Sequence, residues 1–178
     1  MELPGTVYLF TLAALAVTFV GFSTLVVILR QTLGGTLSKL DILITRIFIQ
    51  LGFIVAAGAL LPPLFFLLGW QPAIIWRVAS LIAAVPSFLF AVTYPMRRRG
   101  AVDVPTPIIV WIDVAILLAA SLVLAWNGVG PGVVPGAGLY AAGLTGVFFL
   151  SGWSYLQAIN VLLIISRLGG GVDRSERG

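Results

Sequence analysis

Apolar positions dominate this chain, and its polar positions interrupt them at long, regular intervals. A helix that crosses a bilayer needs about 20 mainly apolar residues. Five windows meet that length: about 6–29, 43–68, 73–94, 107–126 and 138–165. The pattern predicts an all-α, polytopic integral membrane protein, a bundle of five transmembrane helices. Residues 1–167 form the transmembrane domain, and 168–178, rich in glycine and charge, form a short tail expected to be disordered. Pro62 and Pro63 fall near the end of the second window, where the missing amide donors are expected to kink or stop the helix. Pro86 falls inside the third, where neighbouring helices can re-satisfy the freed carbonyl. The glycine- and proline-rich stretch 127–136 reads as a plain flexible loop.

Composition makes lipid the solvent. The chain is 60% hydrophobic and 9% charged, with a mean hydropathy of +1.14, whereas a soluble domain carries about 25% charged residues. The first window is not a secretory signal, because no basic segment precedes it and it exceeds the roughly 7–15 residues of a signal core.

The net charge of +4 does not point to nucleic acid, because the cations sit where apolar runs end. Arg30, Lys39 and Arg46 surround the first connector, Arg97, Arg98 and Arg99 the third, and Arg167, Arg174 and Arg177 follow the fifth window. With five spans, these nine of the ten basic residues share one side, leaving Arg77 on the other. The positive-inside rule then places the N-terminus outside and the C-terminus in the cytoplasm, in a multi-pass protein of the cytoplasmic membrane. Arg97, Arg98 and Arg99 are expected at lipid headgroups, at about 1 kcal/mol for each basic residue near an anionic surface. Trp70, Trp76 and Trp126 are expected in the interfacial belt on the opposite side, with Tyr94 and Trp111 in the belt near the arginines.

The absence of Cys and His removes thiolate chemistry and the commonest general base and metal ligand. No cofactor or metal is expected. The chemistry that remains lies at depth. Asp113, alone among apolar residues in 108–118, is about 8 Å inside the arginine-bearing boundary at 1.5 Å rise per residue. Asn160 falls about 8 Å in, Gln50 about 5 Å, and Ser23 and Ser87 about 8–9 Å. Asp113, Arg46, Gln50, Asn160, Gln157, Ser23 and Ser87 are therefore expected to form one intramembrane polar layer, with Arg46 or one of the three later arginines as counter-charge to Asp113. Trp153, Gln157 and Asn160 share a helical face with Gly146. Small residues four apart, as in Gly52 and Ala56 or Gly138, Ala142 and Gly146, favour close helix packing.

Asp41, Asp103 and Asp113 stand on different connectors or spans and form no catalytic motif, so no enzyme is expected. The expected function is a non-catalytic membrane subunit or scaffold. Its partners are the lipid bilayer and other membrane proteins or further copies of itself. The alternative is a small oligomeric transporter or channel using Asp113 with Gln50 and Asn160, because intramembrane acids often mark ion paths.

Overall fold

The computed structural model describes residues 3–32, 39–101, 106–130, 132 and 134–169, with side chains at all of these except 30, 40–41 and 157–169. Five helices account for nearly all of it: α1 (Thr6–Thr32), α2 (Lys39–Leu67), α3 (Pro72–Arg99), α4 (Ile108–Val129) and α5 (Ala137–Gly169). All five are long and apolar enough to cross a membrane. Even α4, with 22 residues, rises about 33 Å, which matches a hydrocarbon core of about 30 Å. Most helices outrun their apolar windows, because polar residues at the ends continue the backbone hydrogen bonding; α3, for instance, runs through Pro95 to Arg99. Residues 170–178, most of the expected tail, lie outside the described residues.

The turn between α2 and α3 follows directly from its sequence. Gly69 adopts a left-handed φ of 79°, a conformation that glycine takes without a Cβ penalty. The Gly69 amide donates to Phe66 O at 3.0 Å and the Trp70 amide to Phe65 O at 3.2 Å, a Schellman closure that satisfies orphan helix carbonyls. Trp70 then stacks on Phe65 with ring centroids 4.7 Å apart, the apolar contact that accompanies such a cap. Pro72 begins α3 at a first-turn position, where its missing amide costs nothing.

Helices α2, α3, α4 and α5 pack in a closed ring, each against the next and α5 back against α2. Helix α1 lies outside this ring, mainly against α2 with a smaller contact to α5. Several glycines permit close approach, Gly52 and Gly143 most clearly. A Cβ at Gly52 would run into the Val20 side chain of α1, and a Cβ at Gly143 would lie 2.6 Å from Leu124 Cγ of α4. The row Gly138, Ala142 and Gly146 is only partly used: Gly146 meets Ala120, whereas Gly138 faces open space and Ala142 is exposed. Phe19, Phe48, Phe148 and Tyr155 interlock edge-to-face, with centroids 5.0–6.4 Å apart, and tie α1 to α2 and α5. The outward faces carry large apolar side chains such as Val7, Phe22, Phe53, Leu122 and Phe149, which suits a lipid surroundings.

Pro62 and Pro63 lie near the end of α2 but inside it, so the helix is not stopped there. Pro62 lacks the amide that would bond Gly58 O one turn earlier. The Tyr140 hydroxyl of α5 donates to that carbonyl instead. Trp76 is not in an interfacial belt: it is 3% exposed and packs on the Tyr140 ring at 5.6 Å. The stretch 127–136 is not simply a flexible loop, because α4 runs through Val129 and Asn127 is hydrogen-bonded across it to Gly136.

Candidate functional site

Polar side chains inside the bundle gather at its two ends. At the end opposite Arg97–Arg99, Asn127 is 1% exposed and fully engaged. Its amide nitrogen donates to Ser80 Oγ at 2.8 Å and to Gly136 O at 3.2 Å, and its oxygen accepts from the Gly136 amide at 3.0 Å. One side chain thus ties α3, α4 and the entry into α5. Its demands are met by protein groups, so it acts as structure.

The arginine end differs. Asp113 projects from the second turn of α4 and is partly buried. Ser154 Oγ of α5 donates to Asp113 Oδ2 over a long 3.4 Å, and Oδ1 is buried with no hydrogen-bond partner. An ionised carboxylate offers about four acceptor positions, so this one is under-served. Among the described residues it makes no ion pair. Arg46, an expected counter-charge, is exposed.

Helix α3 brings Arg98 instead. Three successive arginines point in three directions, because a helix turns about 100° per residue. Arg98 continues the inward row of Ser87, Ala91 and Tyr94 at spacings of four, three and four. It is 9% exposed, and its Nε is buried without a hydrogen-bond partner. This departs from the headgroup position expected for all three arginines. Tyr94 lies against the Arg98 guanidinium and within electrostatic reach of Asp113. Arg97 and Arg99 stay exposed. Arg97 covers the Phe90 ring at 5.4 Å and donates from Nη1 to Gln50 Oε1 at 3.2 Å.

Helix α5 completes the cluster with Ser151, Ser154 and Tyr155. At spacings of three and four these share one face. Ser154 turns to Asp113 on α4, while the Tyr155 ring turns to Phe19 of α1 and Phe48 of α2. Ser151 is fully buried between them. Ser151 Oγ has no hydrogen-bond partner, and the Tyr155 hydroxyl lies near Ser23 without a well-formed bond. Elsewhere in the bundle hydroxyls satisfy themselves on their own helix: Ser23, Thr24, Ser87, Thr93, Ser121 and Thr145 each donate to the carbonyl four residues earlier.

The expected layer is therefore divided. Ser23 and Ser87 are buried but bonded to Phe19 O and Ala83 O. Gln50 is held by Arg97, and Arg46 stands apart. The side chains of Gln157 and Asn160 lie outside the described residues. Trp153, placed on their face, is 46% exposed and points outward. Sequence reasoning passed over Tyr94, Ser151, Ser154 and Asn127 as site residues, and offered Arg98 only as one of three arginines without separating it from its neighbours. The row from Ser87 to Arg98 was the signal for Tyr94 and Arg98. Among the described residues no group of three acidic side chains could hold a metal ion. The two ends can thus do different things chemically: one is a closed hydrogen-bond clamp, and the other holds a separated acid and base with unmet polar atoms.

No family model, curated protein or solved structure matches this chain.

Proposed function

We propose that this is a multi-pass protein of the cytoplasmic membrane that serves as a non-catalytic membrane subunit or scaffold. The N-terminus lies outside and the C-terminus in the cytoplasm. The observation that carries the reading is how the best-bonded polar side chains are used. Asn127 and Tyr140 are buried, and both are committed to holding helices to one another. Cross-helix hydrogen bonds of this kind give a bundle its register. The distribution of basic residues supports the orientation, since nine of ten fall on one side of a five-span chain.

Two experiments test this. Reporter fusions at Gln71, Gly100, Pro131 and Gly170 are expected to read outside, inside, outside and inside. Native purification followed by mass spectrometry is expected to recover a stoichiometric membrane partner. A chain that purifies alone in a mild detergent and drives solute flux in proteoliposomes rejects the scaffold.

A second reading is a small oligomeric transporter or channel using Asp113 with Gln50 and Asn160. The unpartnered Oδ1 of Asp113 favours it. Flux that is present in the wild type and lost in a stably folded Asp113→Asn protein selects this reading.

A further inference from the structure

We infer that Asp113 is a proton-binding site within the membrane, with Arg98 as its tethered counter-charge. The argument starts from what an ionised carboxylate needs. It needs donors on its oxygens or a cation against it when it leaves water. Asp113 has one long bond, from Ser154 to Oδ2, and nothing on Oδ1. Oδ1 is closed off, so a hydrated ion has no room at that oxygen. A proton needs none. It converts the carboxylate into a neutral acid whose remaining unmet polarity is far less costly in an apolar place.

The charged groups around the site complete the device. From α3, Tyr94 and Arg98 face it, while Arg97 is drawn away to Gln50 and Arg99 is exposed. From α5, Ser154 faces it without charge, and Tyr155 is turned to the Phe19 and Phe48 rings. No other residue of α4 titrates. Among the described residues Arg98 is the one buried cation, and its Nε–H has no acceptor. When the acid is protonated, the two side chains stay apart as observed. When the proton leaves to water as hydronium, the O–H bond of the carboxyl breaks and the negative charge remains on its oxygens. The flexible stem of Arg98 can then bring Nε–H to that charge past Tyr94. The inference rests on neither functional reading, because a static subunit and a carrier can both bind a proton.

Infrared spectroscopy of the full chain in lipid nanodiscs tests it. The probe is the carbonyl stretch of a protonated carboxyl at neutral pH, in protein carrying 13C-labelled aspartate side chains. The chain has four aspartates, Asp41, Asp103, Asp113 and Asp173. The labelled band is expected in the wild type and in the triple variant Asp41→Asn/Asp103→Asn/Asp173→Asn, which keeps Asp113 alone. It is expected to vanish in Asp113→Asn. Absence of the band from labelled wild type at neutral pH overturns the proposal, and that measurement needs no mutant to fold. Persistence of the band in Asp113→Asn also overturns it. For the counter-charge, Arg98→Gln is expected to move loss of the band to higher pH by about one unit or more, since removing a nearby cation disfavours the charged acid. An unmoved midpoint rejects Arg98. Flux measurements leave this result unaffected, so failure of the proton site and failure of a transport reading are distinguishable.

Discussion

The Tyr140 hydroxyl donates to Gly58 O, the carbonyl that Pro62 leaves without its helical partner. A proline inside α2 and a tyrosine on α5 are thus one interaction divided between two helices. The proline removes a donor from α2 and α5 supplies another. The result is a cross-link that an unbroken α2 would not need.

Tyr140→Phe is expected to destabilise the bundle by about 1 kcal/mol, within the range measured for hydrogen bonds between helices in membranes. Pro62→Ala restores an amide able to reach Gly58 O. In that background Tyr140→Phe is expected to cost less than half as much. A double-mutant cycle in denaturant-driven unfolding from detergent micelles reads the coupling, and strictly additive losses refute the shared-carbonyl account.

Asn127→Leu removes three hydrogen bonds and leaves the Gly136 amide without an acceptor at the mouth of α5, while Gly136 O keeps the Tyr140 amide. The expected loss is about 2–3 kcal/mol, the cost of stranding buried polar groups. Ser80→Ala removes only one of those bonds and is expected to cost about 1 kcal/mol. Thermal melts followed by circular dichroism check the order. Equal losses for the two variants contradict the clamp.

Gly52→Leu and Gly143→Leu drive side chains into Val20 and Leu124. Each is expected to cost about 1–3 kcal/mol by overpacking. Gly138→Leu meets open space and is expected to stay within about 0.5 kcal/mol of wild type. If all three behave alike in the same unfolding assay, helix contacts are not set at these glycines.

Arg46 is exposed and Arg98 is buried, with Tyr94 within electrostatic reach of both Arg98 and Asp113. Stability losses from Arg46→Gln and Asp113→Asn are therefore expected to add, within about 0.5 kcal/mol. Arg98→Gln combined with Asp113→Asn is expected to deviate from additivity by more than that. A measured coupling between Arg46 and Asp113 larger than that between Arg98 and Asp113 contradicts this arrangement.

The site was partly legible before any coordinates. Asp113 announced itself, because an acid in an apolar run has few tolerable surroundings. Ser154 did not, since a serine within a span ordinarily bonds its own helix and signals nothing. Arg98 was hidden in a run of three, where only the phase of Ser87, Ala91 and Tyr94 separates an inward arginine from its outward neighbours. Asn127 sat among glycines and prolines and read as loop, although it lies inside α4.

What the sequence alone determined is the number of helices and, within a few residues, where each begins, because hydrocarbon thickness sets a length that hydropathy must match. It also determined how far along its helix each polar residue lies, because helical rise is constant. The tertiary structure decided which way each helix faces. In lipid both the packed and the outer faces are apolar, so α1, α2 and α5 carry no strong amphipathic stripe that reveals their rotation. Rotation comes from packing: Gly52 against Val20, Gly143 against Leu124, and the aromatic cluster around Phe19. That rotation is what turns Trp76 inward, gives the Gly58 carbonyl to Tyr140, and turns Arg98 inward while Arg46 stays exposed.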